Sequence, residues 1–456
     1  IASDKLHEAK AVAEKFKRCE YTQLDVTNQK ELLPLVEKSD IVISYVPAFL
    51  HPHVLKACLT AKKHMITASY VSPDMAAAHE EAKSKGLVFL NELGVDPGID
   101  HMATMKIVDE VHEKGGKILE FYSYCGGLPS PQDCDNPLGY KFSWSPIGAV
   151  RAMTNSAKFL KSDKVVEIPN ADLLFTVHDV KLNNALTLES LPNRDSVKYI
   201  DLYKMAGASS FFRGTLRYKG FCLIMRSARE IGLLREIPVS YLSSVTSWKQ
   251  LIERLVAEQT PDEQGCFINQ SDRKQIIESV GFAPDAAKTA DKILVIAFSN
   301  KNYSKTSRET LMENATLLLN AFRWLGFFDE NQKITPGKTY LEVYCSLLEQ
   351  KLVFKKDEAD AIFMQHIFKI DWGDKYEIRK STLICIGEKG KRSAMALTVG
   401  FPTGIGAQLV LDGKITTPGV SIPIAKEQYE PILKILEENG VALKETSEYI
   451  YRPKLQ

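Results

Sequence analysis

The stretch DIVISYV at residues 40–46 is apolar and rich in β-branched side chains, and Pro47 ends it. This pattern is typical of a short buried strand. Helical and strand-like segments alternate around it with short connections. The predicted helices cover 5–17, 30–37, 53–61 and 74–85, and the predicted strands cover 21–26, 63–68 and 87–91. Such alternation predicts a parallel sheet with helices on both faces, a Rossmann-like α/β fold.

Beyond residue 117 the pattern changes. A strand at 118–124 precedes a loop rich in Gly, Pro and Asn, and residues 160–220 mix short strands with turns. Helical spacing dominates 236–330, where Trp248 and Trp324 lie on apolar faces and are expected in the core. The remaining segments are predicted strands at 361–370 and 376–386 and predicted helices at 393–411 and 426–438.

The composition is that of a globular protein. The 456 residues are 45% hydrophobic and 25% charged, which excludes disordered and collagen-like classes. Lys and Arg total 58 against 57 acidic residues, so the formal net charge is +1. This balance argues against a nucleic-acid partner bound by bulk electrostatics and against a polybasic membrane anchor. The apolar runs are also too short to span a membrane.

The 8 cysteines are scattered, without a CxxC pair or a His/Cys cluster of zinc-ligand spacing. A disulfide scaffold or a metal site is therefore not expected. The sequence begins at Ile1 rather than Met, so we expect a fragment, from which any targeting segment would be missing. A reducing, cytoplasmic compartment is the default expectation.

Two acidic residues in the first segment have two interpretations each. Ser3 and Asp4 follow a strand-like start, where an acidic residue of a dinucleotide-binding fold bonds the adenosine ribose. Asp4 could equally be the N-cap of the next helix. Asp25, followed by Val26, ends the next strand near the expected adenine, but it could simply cap a turn. The glycine fingerprint that should precede Asp4 is not in the sequence.

Three loops at strand ends carry titratable side chains beside Gly or Pro. They are TASY at 67–70, ELGVDPGIDH at 92–101 and SYCGGLP at 123–129. Ligands bind at the carboxyl ends of strands in open α/β sheets, so these loops together predict a site. Cys125 is the strongest cysteine candidate. His101 is expected only to pack at a helix start.

A basic cluster follows, with Arg194 in one loop and Arg213 and Arg217 in RGTLRY at 213–218, while Lys141 adds a further cation. The planar guanidinium group binds carboxylates in a bidentate way, so the cluster suits a substrate with several carboxylates. Salt bridges between domains are the alternative explanation for each of these arginines.

Six motifs together resemble saccharopine dehydrogenase of the L-glutamate-forming type, also called saccharopine reductase. They are TASYVSP, ELGVDPGIDHM, SYCGGLPSP, NPLGYKFSWSP, LPNRDS and FRGTLRYKGF. The resemblance continues through SAMALTVGFPTGIGAQLVLDGKI and is weakest between 236 and 330.

The resemblance implies three parts. Residues 1–117 with 393–456 would form the Rossmann domain, whose first strand and glycine loop are expected upstream. Residues 118–235 with 336–392 would form the saccharopine-binding α/β domain, and 236–335 an inserted helical domain. The implied reaction interconverts saccharopine with L-glutamate and 2-aminoadipate semialdehyde by hydride transfer and imine chemistry.

The resemblance also implies roles for individual residues. The candidates for proton handling are Tyr70, Asp96 and Cys125, with acid and base not assigned. The substrate-binding set adds Ser69, Arg194, Gly214, Thr215 and Leu216. The cofactor-binding set is Ser3, Asp4, Asp25, Val26, Ser44, Tyr45, Val46, Pro47, Ser143, Trp144 and Ser145.

Cofactor and partners follow from the same comparison. Ser3-Asp4-Lys5 resembles the acidic ending of NAD-preferring members rather than the Cys-Arg ending of fungal NADP-using ones, so NAD is expected, with NADP the alternative. A homodimer is expected, as is fusion to lysine-ketoglutarate reductase if the protein is of the bifunctional type, which in animals would be mitochondrial. A carboxynorspermidine-like dehydrogenase and a non-catalytic half of a larger protein stay open as alternatives.

Overall fold

The computed structural model describes residues 1–260 and 263–452. The first region holds five strands, β1 (Ala2–Ser3), β2 (Thr22–Gln23), β3 (Ile41–Ser44), β4 (His64–Thr67) and β5 (Val88–Leu90). Its helices are α1 (Leu6–Ala13), α2 (Gln29–Glu37), α3 (His51–Ala61), α4 (Pro73–Ala77), α5 (His79–Ser84) and α6 (Ile99–Glu113).

The second region is mostly β. It contains β6 (Lys117–Pro129), α7 (Pro146–Ala152), β7 (Ala157–Lys161), β8 (Lys164–Ile168), β9 (His178–Lys181), β10 (Thr187–Pro192), α8 (Tyr199–Leu202), β11 (Ser210–Arg217) and α9 (Phe221–Glu230). A helical region follows, with α10 (Trp248–Ala257), α11 (Gln270–Val280), α12 (Pro284–Phe298), α13 (Arg308–Leu325) and α14 (Tyr340–Lys351).

The last region returns to both sheets. Its elements are β12 (Asp360–Asp371), β13 (Lys375–Ile386), α15 (Phe401–Leu411), β14 (Gly419–Ser421), α16 (Lys426–Glu438) and β15 (Lys444–Tyr451). A π-helical turn at Ala396–Gly400 leads into α15, so the helix predicted at 393–411 is not a uniform α-helix. The helix predicted at 426–438 is confirmed.

A parallel sheet in the order β14-β5-β4-β3 confirms the Rossmann-like prediction. The strands β1 and β2 form a separate parallel pair. In a dinucleotide-binding sheet one further strand would lie between β1 and β3. Among the described residues, β1 pairs only with β2 and β3 only with β4. The strand and glycine loop expected at this position stay a prediction.

The second sheet is mixed and has nine strands, with the main order β15-β13-β12-β6-β11-β10-β9. Its long central strand β6 lies antiparallel to β12 and parallel to β11. The strand β15 pairs with β13 in this sheet. This corrects the expected division of the chain, which assigned 393–456 as a whole to the Rossmann domain.

Two hydrophobic cores lie on opposite faces of the mixed sheet. One face packs against the helices α10 to α14, and Trp248 and Leu216 are buried there. The other face packs against α6 and α16, and it buries Cys125. The expectation that Trp248 belongs to the core is confirmed, and Trp324 packs partly buried against the same core.

One buried carboxylate joins the mixed sheet to the segment that crosses to the parallel sheet. Asp360 at the start of β12 accepts hydrogen bonds from the backbone N–H groups of Ala394 (2.6 Å) and Met395 (2.9 Å). These are N–H groups of a helix start, which need an acceptor outside the helix. Farther along the same segment, the Thr403 hydroxyl is hydrogen-bonded to the hydroxyl of Tyr45, just after β3.

Candidate functional site

The centre of the site is a hydrogen-bonded group of three side chains from three different segments. Tyr70 follows β4, Asp96 lies in the loop before α6, and Arg213 is on β11. The Tyr70 hydroxyl donates to Asp96 Oδ1 at 3.0 Å, and Arg213 Nη2 donates to the same oxygen at 2.7 Å. Two of the three predicted proton-handling residues are therefore in direct contact.

Arg213 bridges a second carboxylate. Its Nη2 also donates to Asp100 Oδ2 at 2.7 Å, and Asp100 Oδ1 accepts from the Gly98 N–H at 2.6 Å. Asp100 is 1% exposed and Arg213 is 3% exposed, so water screens this ion pair little. Arg213 was part of the predicted basic cluster but was not named as a site residue. Its partners lie more than a hundred positions away, which explains why sequence spacing alone could not identify it.

The environment changes the pKa values of the site residues in different directions. Burial raises the pKa of Asp96, more than the charge of Arg213 lowers it. Burial would also raise the pKa of Asp100, but His101, Arg213 and the Gly98 N–H hold it below its ordinary value. Burial and the charge of Asp96 raise the pKa values of Tyr70 and Cys125 well above their usual ranges. At neutral pH, Tyr70 and Cys125 are therefore protonated.

Asp96 keeps one oxygen free. Both of its hydrogen bonds use Oδ1, and no residue in 1–260 or 263–452 forms a hydrogen bond to Oδ2. Its side chain is 14% exposed, so Oδ2 is the oxygen that can meet a proton from a ligand or from water.

A second hydrogen-bonded group, formed by Glu92, His101 and Tyr203, lies next to the loop that carries Asp96. His101 Nε2 lies 2.7 Å from Glu92 Oε2, while Glu92 Oε1 accepts from the Val71 N–H at 3.0 Å. The other ring nitrogen of His101 is hydrogen-bonded to the Tyr203 hydroxyl. His101 is buried at the start of α6, as predicted, but it connects two loops rather than merely packing. Glu92 was missed although it stands in the quoted loop ELGVDPGIDH.

Cys125 lies on β6 beside Thr215 of β11. Side chains alternate between the faces of a strand, so Thr215 lies on the same face as Arg213. Leu216 is buried in the opposite core, and a Cβ at Gly214 would lie 2.4 Å from Ser190 Oγ. Of the predicted set Gly214, Thr215 and Leu216, only Thr215 thus presents a side chain to the site.

Two cations lie above the Tyr70 ring. The Arg194 guanidinium is 5.4 Å from the ring centroid, and Lys198 Nζ is 5.7 Å from it. Both side chains are exposed, and neither forms an ion pair with a carboxylate in the described chain. The alternative of an interdomain salt bridge is therefore wrong for Arg194. Lys198 was not predicted, because the sequence analysis took only Arg194 from this stretch as a cation that binds the substrate.

The other predicted cations have structural roles. Lys141 is buried and lies 2.7 Å from both Asp135 and Glu358. The Arg217 guanidinium lies over the rings of Tyr140 and Phe221, at 4.9 and 5.3 Å from their centroids. The prediction that these two cations would help to bind a polycarboxylate substrate is wrong, because their charged groups face protein partners.

Ser69 lies within hydrogen-bonding distance of a residue that the sequence analysis missed. Its hydroxyl lies 2.8 Å from His51 Nε2, and the Ser44 hydroxyl lies 3.0 Å from His51 Nδ1. His51 is 2% exposed at the start of α3. It therefore joins the ends of the neighbouring strands β3 and β4.

The predicted cofactor-binding residues of the first region divide into two groups. Asp4 is exposed at the end of β1 and accepts from Ser3 Oγ at 3.3 Å. It does not cap α1, whose N-cap is Lys5, so the capping alternative is wrong. Asp25 accepts from the Thr27 N–H and hydroxyl at 2.9 and 2.7 Å, which fits the turn-capping alternative. Val26 follows it, half-buried.

The residues Ser44, Tyr45, Val46 and Pro47 lie at the carboxyl end of β3, where a parallel sheet binds a dinucleotide. Ser143 approaches the Cys125 face of β6, since a Cβ at Gly127 would lie 3.9 Å from its Oγ. Trp144 is about half exposed, and Ser145 caps α7 by accepting from the Gly148 N–H. Asp4 and the end of β3 thus fit the adenosine and nicotinamide ends of a cofactor. No described residue supplies a glycine-rich turn for its pyrophosphate.

His366 lies beneath the site on β12, opposite Ser123. It is 0% exposed, and neither ring nitrogen has a hydrogen-bond partner among the described residues. Burial lowers its pKa to about 4. The ring is therefore neutral throughout the physiological range.

No described helix is both long and apolar enough to cross a bilayer. The described residues also contain no cluster of three or more His, Cys, Asp or Glu side chains that could hold a metal ion.

Comparison with known proteins gives a consistent result. The family model described as the saccharopine dehydrogenase NADP binding domain matches residues 1–90, and the saccharopine dehydrogenase C-terminal domain matches residues 94–441. Saccharopine dehydrogenase [NADP(+), L-glutamate-forming] of Saccharomyces cerevisiae is 36% identical, over 92% of this chain and 87% of the yeast protein.

One further relative and one solved structure give the same result. The alpha-aminoadipic semialdehyde synthase of Arabidopsis thaliana is 35% identical over 98% of this chain, which spans 40% of that longer protein. The solved apo saccharopine dehydrogenase (L-Glu forming) from Saccharomyces cerevisiae has a TM-score of 0.82 and 34% identity, covering 98% of this chain and 93% of that one.

Replacing His366 with Phe should reduce the loss of stability in acid. The unfolded state binds a proton near pH 6.5, whereas the folded state resists it until about pH 4, so stability falls as the pH drops through this window. The contribution of His366 to that loss is about 3 kcal/mol at most. Urea unfolding at a series of pH values in this window would measure it. The exposed control His112→Phe should keep the acid loss, and an equal loss in both variants would contradict the prediction.

Proposed function

The chain belongs to the saccharopine dehydrogenase family, and we propose that it interconverts saccharopine with L-glutamate and 2-aminoadipate 6-semialdehyde. The observation that carries this proposal is the arrangement at Tyr70. Two cations without carboxylate partners in the described chain, Arg194 and Lys198, face its ring, and Asp96 with a free Oδ2 lies beside it. This arrangement suits a polycarboxylate amine that must lose a proton.

Asp96 is the proposed base. Saccharopine can lose hydride from its lysine-side carbon only when the secondary amine is neutral, so a group in the site has to accept the amine proton. Of the three candidates, Tyr70 and Cys125 are held in their protonated forms, whereas Asp96 has a carboxylate oxygen available. Its pKa is raised toward neutrality, and a group that accepts and donates protons works best when its pKa lies near the operating pH.

Tyr70 is the proposed proton donor in the second half of the reaction. The imine left by oxidation adds water. The resulting carbinolamine breaks its C–N bond as its hydroxyl loses a proton to form the aldehyde C=O and the nitrogen of glutamate takes up a proton. The Tyr70 hydroxyl already donates to Asp96, so a proton can pass between the two residues without either leaving its place. Cys125 is protonated and buried on the same face as Thr215, so it contributes an uncharged side chain to this face of the sheet.

A bound nicotinamide cofactor supplies the hydride acceptor. The residues proposed to hold it are Asp4 at the adenosine end and Ser44 to Pro47 at the end of β3, with 143–145 approaching from β6. The comparisons support a nicotinamide cofactor, and the names of the fungal relatives specify NADP(+). The preference for NAD expected from the sequence has only Asp4 in its favour. We therefore infer that Asp4 sets the ratio between the two cofactors.

Fusion to lysine-ketoglutarate reductase is supported by the Arabidopsis relative, of which this chain spans 40%. The homodimer and the cytoplasmic or mitochondrial location stay predictions.

The proposed reaction is tested with the polypeptide that contains this chain, saccharopine, and NAD or NADP(+). Reduced cofactor should appear together with equal amounts of L-glutamate and the semialdehyde. Formation of 2-oxoglutarate and lysine instead would show cleavage on the other side of the amine and would reject the proposal. No turnover at all would favour the non-catalytic alternative, and turnover of carboxynorspermidine alone would favour the other dehydrogenase.

Arg194→Ala should weaken saccharopine binding without a comparable loss of turnover, because it removes a carboxylate partner and no proton-handling group. A charge-assisted hydrogen bond is worth roughly 1.5–3 kcal/mol, so KM for saccharopine should rise roughly 10- to 100-fold. Steady-state kinetics would separate KM from kcat. The control Arg254→Ala, at an exposed position of α10, should leave both unchanged, and an unchanged KM in Arg194→Ala would reject the role.

Asp4→Ala should raise kcat/KM for NADP(+) relative to that for NAD. A carboxylate at the end of this strand repels a 2′-phosphate and bonds ribose hydroxyls, so its removal favours the phosphorylated cofactor. We expect the ratio of the two kcat/KM values to move roughly tenfold, for a change of about 1.4 kcal/mol. Asp74→Ala, which removes an exposed acidic residue of α4, is the control. An unmoved ratio would show that Asp4 does not contact the ribose.

A further inference from the structure

His51 is in contact with three hydroxyl groups at the ends of two adjacent parallel strands. Nδ1 lies 3.0 Å from Ser44 Oγ, and Nε2 lies 2.8 Å from Ser69 Oγ and 3.2 Å from Thr67 Oγ1. Ser44 opens the segment proposed to meet the cofactor, while Ser69 precedes Tyr70 on the substrate side. The imidazole is therefore the direct connection between the two sides of the site.

The number of hydrogens on the ring makes this connection directional. Burial lowers the pKa of His51, so the ring is neutral and carries one N–H and one lone pair. When Nδ1 donates to Ser44, Nε2 must accept from the hydroxyls on the other side. When Nδ1 accepts, Nε2 must donate. The hydroxyl directions at Ser44 and Ser69 are thus linked through one proton.

The backbone at Ser69 does not depend on the imidazole. The Ser69 carbonyl accepts from the Glu92 N–H at 3.1 Å, and the Thr67 carbonyl accepts from the Leu93 N–H at 3.2 Å. The Ser69 N–H donates to Thr67 Oγ1 at 3.2 Å. These bonds fix the end of β4 on their own, so His51 governs the hydroxyl orientation rather than the path of the chain.

We propose that His51 is a positioning residue that couples cofactor binding at the end of β3 to substrate binding at Ser69 and Tyr70. The inference rests on the proposed function, because it requires the two ligands to lie on the two sides of the ring. A ligand that fixes the Ser44 hydroxyl selects one arrangement of the ring proton, and this arrangement presents Ser69 either as a donor or as an acceptor to the second ligand. Such coupling is reciprocal.

The test measures the affinity of saccharopine by calorimetry, with and without the reduced cofactor, which forms a complex that cannot react with saccharopine. In the unaltered protein, the reduced cofactor should tighten saccharopine binding at least about fivefold, the lower end of ordinary coupling between sites. The ratio of the saccharopine affinity with reduced cofactor to the affinity without it should fall to about one in His51→Gln, while each ligand still binds alone. Saccharopine should tighten cofactor binding by the same factor.

Ser44→Ala provides a second route to the same result, because it removes one contact but leaves the ring in place. It keeps the test valid if His51→Gln does not fold, which the thermal unfolding midpoint would show. His112→Gln, on the exposed end of α6, is the matched control and should keep the full ratio.

The ratio in folded variants decides the inference. A ratio that persists in Ser44→Ala, or in folded His51→Gln, would overturn it, as would a ratio of one in the unaltered protein. Failure of the unaltered protein to bind saccharopine at all would overturn the proposed function, which is a different observation.

Discussion

The site depends on one guanidinium group placed between two carboxylates. Arg213 extends from the mixed sheet, while Asp96 lies just before α6 and Asp100 lies in the first turn of that helix, which follows the parallel sheet. The same nitrogen serves both carboxylates, so the two segments are held in register at one point. Breaking such a buried pair leaves an uncompensated charge, which is costly in a protein interior. The ion pairs therefore help to fix the loop that carries Asp96, in addition to the apolar packing of Leu93 and Val95.

The mixed sheet separates this chemistry from the bulk of the hydrophobic core. One face carries Arg213, Thr215 and Cys125 toward the site, and the other buries Leu216 against the helical region. Because strand side chains alternate, each residue of RGTLRY is committed to one face or the other. The helices α10 to α14 stabilise the sheet from the side opposite the candidate site.

Local features of the fold could be predicted from the sequence, whereas contacts between distant segments could not. The strands β3, β4 and β5 and helix α16 follow from apolar periodicity, whereas the three-residue strand β14 was not predicted. The pairing of β15 with β13 depends on a strand whose residues are all exposed and which therefore carries little pattern. Helix α14 was missed because its nearly continuous apolar face weakens the helical period.

The candidate site shows the same difference between residues predicted from local motifs and residues whose partners are distant in sequence. Tyr70, Asp96 and Arg194 were predicted from motifs and lie together in the structure. His51 was not predicted, and Arg213 was predicted only as a member of the basic cluster, because their roles arise from partners on other strands and loops. The segment that begins at Ala394, where Asp360 binds it, also joins parts of the chain that are distant in sequence. It passes the Thr403–Tyr45 contact and ends at Leu411, roughly 27 Å along at 1.5 Å per residue if helical throughout. The segment therefore bridges the two sheets: Asp360 binds its first turn to the mixed sheet, and Thr403 contacts Tyr45 just after β3 of the parallel sheet.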